Sequence, residues 1–214
     1  ISRRDGCLAD FCTVPLPNLH LVPPGVRDEQ AVFVEPLAAA LEITDRLHIR
    51  PTERVVVIGD GKLGLLVAQV LSLTGCALLV VGRHEDKLSI LARRGIEVCL
   101  EQDLEPDGSA DVVVECSGQP GGFALARRCV RPRGRLVLKS TFVGLNELSL
   151  TALVVDEVTL SGSRCGPFAP ALRLLAQDLV DVEPLIEAAF SLDQGLAAFE
   201  RARTRGALKV LVKP

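Results

Sequence analysis

Methionine is missing from the 214 residues altogether, the first position included, where the chain reads Ile1-Ser-Arg-Arg. A chain that opens this way can be a piece of a longer protein. No secretory leader is legible at the start. No apolar run is long enough to cross a bilayer. The longest, Val55 to Val81, is broken by glycines and by Asp60, Lys62 and Gln69, and reads as strand, helix and strand. Charge of one sign is not in excess either. With 24 Lys and Arg against 27 Asp and Glu, the net charge is −3, so neither nucleic acid nor an anionic membrane is offered a large basic surface. Among the seven cysteines (Cys7, Cys12, Cys76, Cys99, Cys116, Cys129 and Cys165) no two form a C-x-x-C pair, and their number is odd. Most stand in apolar runs, so reduced thiols packed in the core of a cytoplasmic protein are expected, with no metal site among them. Internal repeats and low-complexity stretches are also missing. What remains is a globular composition, 48% hydrophobic and 24% charged. It suffices for one large domain or one and a half, with a real core.

The first 24 residues read as short strands and turns, Cys7–Val14 among them. Asp28 to about Leu47 is helical by the spacing of Ala31, Val34, Leu37, Ala38 and Leu41. Pro36 predicts a break, with a second helix starting near it. From Glu53 strands and helices alternate. Strands are expected at Arg54–Ile58, Ala77–Val81, Glu97–Leu100, Asp111–Glu115, Gly134–Lys139 and Glu157–Ser161. Helices are expected at Leu63–Leu73, Glu85–Arg94, after Glu115 and at Ala169–Gln177. Strands separated by helices of ten to fifteen residues mean right-handed βαβ units, hence an α/β fold with a doubly wound parallel sheet. The end differs: two strands, Ala188–Leu192 and Leu208–Val212, flank a helix near Gln194–Arg203.

The sharpest motif is Gly59-Asp60-Gly61-Lys62-Leu63-Gly64, which follows a buried strand and opens a helix. That context gives a G-x-G-x-x-G run its chemistry. Gly59 permits the tight turn, Gly61 lets backbone approach a pyrophosphate, and Gly64 lets helix and strand pack closely. The first N–H groups of the helix then face the phosphates. The alternative is a tight turn with no ligand. The next strand ends at Gly82-Arg83-His84. A carboxylate near position 82 would accept bonds from the ribose hydroxyls of NAD. Glycine there leaves room, and Arg83 can take the 2′-phosphate of NADP through two parallel bonds, with Lys87 one helical turn on. Alternatively Arg83 is an ordinary surface arginine, and Glu85 or Asp86 meets the ribose. Cys116-Ser117-Gly118, and Phe142 and Val143 within Ser140–Gly144, follow the fourth and fifth strands. They are candidate walls for adenosine and nicotinamide, or plain turns.

Taken together, Val22-Pro-Pro-Gly, Val34-Glu-Pro-Leu-Ala, the glycine turn, Asp111-Val-Val-Val-Glu-Cys-Ser-Gly, Arg131-Pro-Arg-Gly, Ser161-Gly-Ser-Arg-Cys-Gly and Gly206-Ala-Leu-Lys-Val-Leu-Val resemble the zinc-type medium-chain dehydrogenases, notably their sorbitol and threonine dehydrogenase branch. The likeness runs through essentially the whole chain. It implies a Rossmann domain at about 41–177 and the remnant of a GroES-like, β-rich catalytic domain at 1–40 and 178–214. It further implies NADP(H)-dependent hydride transfer between nicotinamide and an alcohol or carbonyl substrate, zinc in the complete protein, and a homodimer or homotetramer. The family's zinc-binding Cys, His-Glu pair and four-cysteine lobe would lie upstream of Ile1, and His20, His48 and His84 do not match that pattern. By the same resemblance Glu35 is a zinc ligand or neighbour, or else a helix-start acid. Arg164 sits near the active-site cleft, Lys209 near the cofactor, and the edge around Leu148–Leu150 is a dimerising strand. A zinc-free quinone-type reductase and a non-catalytic NADP(H)-binding module are the alternatives.

Overall fold

A computed structural model describes residues 6–141 and 147–213. The chain divides into two compact units: Val34–Ala171, and Ile1–Phe33 with Leu172–Pro214. The larger unit opens with α2 (Val34–Arg46), which buries Val34, Leu37, Ala38, Ala39, Ala40 and Ile43. A short α1 (Asp28–Ala31) precedes it in the other unit. Pro36 is the third residue of α2, where a missing N–H removes no helical bond, so the expected break falls just before, at Val32–Phe33.

Six strands follow: β1 (Arg54–Ile58), β2 (Ala77–Gly82), β3 (Glu97–Leu100), β4 (Ala110–Glu115), β5 (Val130–Leu138) and β6 (Thr159–Gly162). They pair in parallel in the order β3-β2-β1-β4-β5-β6. The helices between them are α3 (Lys62–Ser72), α4 (Glu85–Ala92), α5 (Pro120–Cys129) and α6 (Leu150–Val155). This is the expected doubly wound sheet. Its strands read as near-continuous Val, Ile and Leu because both faces are covered. Val56, Ile58, Val81, Val113 and Leu136 pack with Phe123, Leu125 and Ala126 of α5. The alternate residues Val55, Val57, Val112 and Val114 are fully buried and lie on the opposite face. Each such side chain contributes about 1.5–3 kcal/mol. Order reverses between β1 and β4, so the crevice at their carboxyl ends is where an open α/β sheet binds ligands.

In the smaller unit β7 (Ile186–Ser191) and β8 (Lys209–Lys213) pair in parallel across α8 (Gly195–Arg203). Arg27 pairs with Glu183, and Lys213 Nζ lies 2.5 Å from Glu29. The division between the units falls within α7 (Phe168–Ala176).

Three expectations are corrected. Cys7–Val14 forms no strand, and the turn of 3₁₀ helix at Leu16–Asn18 is the first regular element among the described residues. Leu148–Leu150 is not a strand: Ser149 accepts the N–H of Ala152 and caps α6, which starts at Leu150. Among the described residues the edge strands of the sheet are β6 on that side and β3 on the other. Of the cysteines, Cys116 and Cys129 are buried, whereas Cys7, Cys12 and Cys165 are exposed. Among the described residues no helix is long and apolar enough to cross a membrane.

Candidate functional site

The glycine turn lies at the carboxyl end of β1 and leads into α3. Gly59 sits at φ +119°, a conformation that side chains disfavour, and a Cβ on it would lie 2.8 Å from the backbone of Cys116 and Ser117. A Cβ on Gly64 would lie 2.0 Å from the Gly59 carbonyl oxygen. Gly61 is different. Its φ of −76° is ordinary, and a Cβ there would meet nothing within 4 Å. Lys62, exposed, and Leu63, half-buried, begin α3, whose first N–H groups have no acceptor within the helix. Cys116 and Ser117 abut this turn from the β4 side, with Gly118 next in the loop, but the Cys116 side chain is buried, so its backbone rather than its thiol borders the turn. Burial pushes that thiol far up, which leaves it inert.

At the end of β2 the structure departs from the expected arrangement. Gly82 was expected to leave open room, but the side chain of Asp60 fills it. A Cβ at position 82 would lie 2.6 Å from the Cβ of Asp60. Asp60 Oδ2 accepts the N–H groups of Arg83 and His84, both at 2.6 Å, and the His84 ring nitrogen lies 3.0 Å from it. Burial alone would raise the pKa of Asp60, but the bonds from His84 and Arg83 outweigh it and hold the carboxyl below its ordinary value. The Arg83 side chain is half exposed. Its Nε and Nη2 donate to the two oxygens of Glu101 at 2.6 and 2.9 Å. A shallow cavity of about 310 Å³ is lined by Arg83, Leu100, Glu101 and Gln102. Lys87 is buried on α4 and does not stand open beside Arg83 as expected, while Glu85 and Asp86 are exposed in the first turn of that helix.

Two buried charges hold the neighbouring loops. Glu115, at the end of β4, accepts the Ser117 N–H at 2.7 Å and the hydroxyls of Ser117 and Ser140. It thereby joins the loops after β4 and β5. A Cβ on Gly122 would strike the Ser117 hydroxyl, so glycine is needed there for this arrangement. Lys139, buried at the end of β5, donates to Ser163 Oγ at 3.0 Å and to the Arg164 carbonyl at 2.7 Å. Burial lowers its pKa, opposed by nearby groups that include Cys116, Glu42, Cys165 and Glu35. Lys139 thus fixes the backbone of Arg164, whose side chain is exposed.

Gly59, Gly61, Lys62, Leu63, Gly64, Gly82, Arg83, Cys116, Ser117 and Gly118 therefore gather at one end of the sheet. Glu35 is exposed in the first turn of α2. Lys209 belongs to the other unit, its Nζ 5.6 Å from the centre of the Phe33 ring. Phe142 and Val143 lie outside the described residues. Asp60, Glu101, Glu115 and Lys139 were not singled out from the sequence. The signal for Asp60 was an acid between two glycines, paired with a glycine where β2 ends. Among the described residues no group of three or more His, Cys, Asp or Glu could hold a metal ion. They do not by themselves fit zinc.

The model of a family described as zinc-binding dehydrogenase matches residues 63–177, more than half of the chain. Sorbitol dehydrogenase of Halalkalibacterium halodurans is 26% identical over 229 residues, spanning 100% of this chain and 67% of that protein. A protein of Sinorhizobium meliloti 1021 assigned as a zinc-binding dehydrogenase, solved bound to NADP, matches with a TM-score of 0.86 at 24% identity, over 99% of this chain and 67% of its own. A short chain alcohol dehydrogenase of E. coli CFT073, complexed with NADH, matches with a TM-score of 0.84 at 22% identity, over 94% of this chain and 64% of its own. The chain spans 60–67% of the length of its first curated relatives. With the doubly wound sheet, the glycine turn at its switch point and the match over residues 63–177, the chain belongs to the zinc-binding dehydrogenase family.

Proposed function

We propose that this chain is the cofactor-binding part of an alcohol or polyol oxidoreductase, and that it takes a nicotinamide dinucleotide, NADP(H) in preference to NAD(H). The contrast among the three glycines carries the reading. The fold itself demands glycine at 59 and 64, where a Cβ would collide with backbone. At 61 it demands nothing, since the conformation is ordinary and the space is open. A glycine there answers to something that approaches the backbone from outside, and a pyrophosphate at the N-terminus of α3 is what that geometry suits.

The cofactor supplies hydride transfer at its nicotinamide ring. The chain's part is binding and orientation. Lys62, Leu63 and Gly64 offer backbone N–H groups, Ser117 borders the turn with Gly118 next to it in the chain, and Glu115 holds the loops that carry Ser117 and Ser140. Arg83 is the cation at the end of β2, where Asp60 is engaged by two N–H groups and the His84 ring. Glu35, Arg164, Phe142 and Val143 enter as residues toward the substrate and nicotinamide in the complete protein, where zinc is held with ligands beyond those described. An alcohol or polyol substrate is favoured by the sorbitol dehydrogenase relative. Self-association through the β6 side and a reducing compartment, favoured by seven free cysteines, complete the proposal.

Fluorescence titration of the chain with NADPH and NADH tests it. The expected preference for NADPH is about 1–2 kcal/mol, roughly 5–30-fold, on the scale of bonds to a charged group reduced by exposure. Tighter binding of NADH at low salt would overturn the NADP(H) assignment. Binding of neither would overturn the function itself.

A further inference from the structure

The Arg83 guanidinium already has a partner. Nε and Nη2 form the two-pronged pair with the Glu101 carboxylate, at 2.6 and 2.9 Å. Those two parallel donors are the ones that recognise a phosphate best. The backbone of Arg83 is fixed from the other side by Asp60 Oδ2. Only the side chain is therefore able to choose between partners. Glu101 stands at the head of the short turn that follows β3, and it lines the same cavity of about 310 Å³ as Arg83 and Gln102.

We propose that Glu101 sets how strongly the site prefers a 2′-phosphorylated dinucleotide, by holding Arg83 and competing with the 2′-phosphate for it. The proposal rests on the reading of this crevice as a dinucleotide site. NADH brings only a ribose hydroxyl, and Arg83 stays on Glu101 while it binds. NADPH brings nearly two negative charges to the same guanidinium. To use Arg83 it must draw the side chain off Glu101 and then lie near a like charge. Selectivity is thus the Arg83–phosphate attraction less the Arg83–Glu101 attraction and the repulsion by Glu101. Gly82 offers a phosphate no open room, because the Asp60 side chain occupies the space beside it.

Glu101→Gln keeps the shape of the side chain and removes its charge. Titrations use NADPH and NADH, with adenosine 2′,5′-bisphosphate and 5′-AMP as fragments that isolate the 2′-phosphate. The ratio of the NADH to the NADPH dissociation constant is expected to rise about threefold to tenfold, the scale of a partly exposed ion pair with a charged ligand. The bisphosphate is expected to gain over 5′-AMP by a similar factor, and the gain should shrink as salt rises. Adding Arg83→Gln should abolish it. An unchanged ratio overturns the proposal while leaving the dinucleotide site standing. Parallel weakening of all four ligands also overturns it, since Glu101 would then only brace the turn after β3. Failure of the unmodified chain to bind either dinucleotide overturns the underlying reading together with the proposal.

Discussion

A valine at position 61 would stand over the start of α3 in space that the fold leaves open, whereas a methyl group at position 64 would lie 2.0 Å from the Gly59 carbonyl oxygen. The two substitutions therefore separate binding from folding. Gly61→Val is expected to keep the urea midpoint and lose nucleotide binding in calorimetry. Gly64→Ala is expected to cost about 1–3 kcal/mol of stability, the scale of an overpacked interior. Retained binding by Gly61→Val would make the turn purely structural. The motif was legible residue by residue because its logic is local: a turn, a close approach, a helix start. Asp60, Glu101 and Glu115 were not, because each acts on a residue that pairing of strands brings near. Asp60 reaches β2 from the end of β1, and Glu101 reaches Arg83 from beyond β3. Spacing in the sequence says nothing about such partners until strand order is known. The same contact changes what Gly82 means, from a vacancy for phosphate to a place surrendered to Asp60.

The ends of β1 and β2 act as one element, and their dependence on acid follows from Asp60. Its carboxyl is held below the ordinary 3.8 by N–H groups that bond only its charged form well. A depressed folded pKa gives stability that is complete above the unfolded value and lost as pH falls through the folded one. Unfolding midpoints should therefore drop as pH falls below about 4, and Asp60→Asn should flatten that drop while lowering stability at neutral pH. An identical acid limb in the variant would assign the effect to other carboxylates, such as Asp107 and Asp111, which are also held low. Elements buried on both faces were plain in the sequence as apolar runs, β-branched in β1 and β4 and of Leu and Val in β2. The helix α6 was not. Leu150-Thr-Ala-Leu-Val-Val is rich in residues that favour strands, and only the Ser149 cap marks it as helix. The strand expected at Cys7–Val14 erred the other way: a mostly apolar stretch reads as a strand, but a ladder needs a partner, and among the described residues none pairs with that segment.

At the scale of the molecule, α6 leaves Leu150, Val154 and Val155 between 68% and 77% exposed next in the chain to β6, the strand at the open edge of the sheet. Unpaired edges and apolar residues of this kind favour association with another copy. Sedimentation velocity is expected to show self-association at micromolar concentration, and Val154→Asp with Val155→Asp to weaken it at least about tenfold, given about 1.5–3 kcal/mol per buried valine. A purely monomeric parent chain would refute this. The smaller unit carries a different consequence. It is assembled from residues 1–33 and 172–214, and ion pairs such as Arg27 with Glu183 and Glu29 with Lys213 join its two stretches. The larger unit, 34–171, is continuous, and its parallel pairs close over shorter distances along the chain. During synthesis the sheet β1 to β6 can form as soon as residue 171 leaves the ribosome. The smaller unit must wait, because its earlier stretch closes only with residues 172–214. Of the two units, the interrupted one closes after the continuous one.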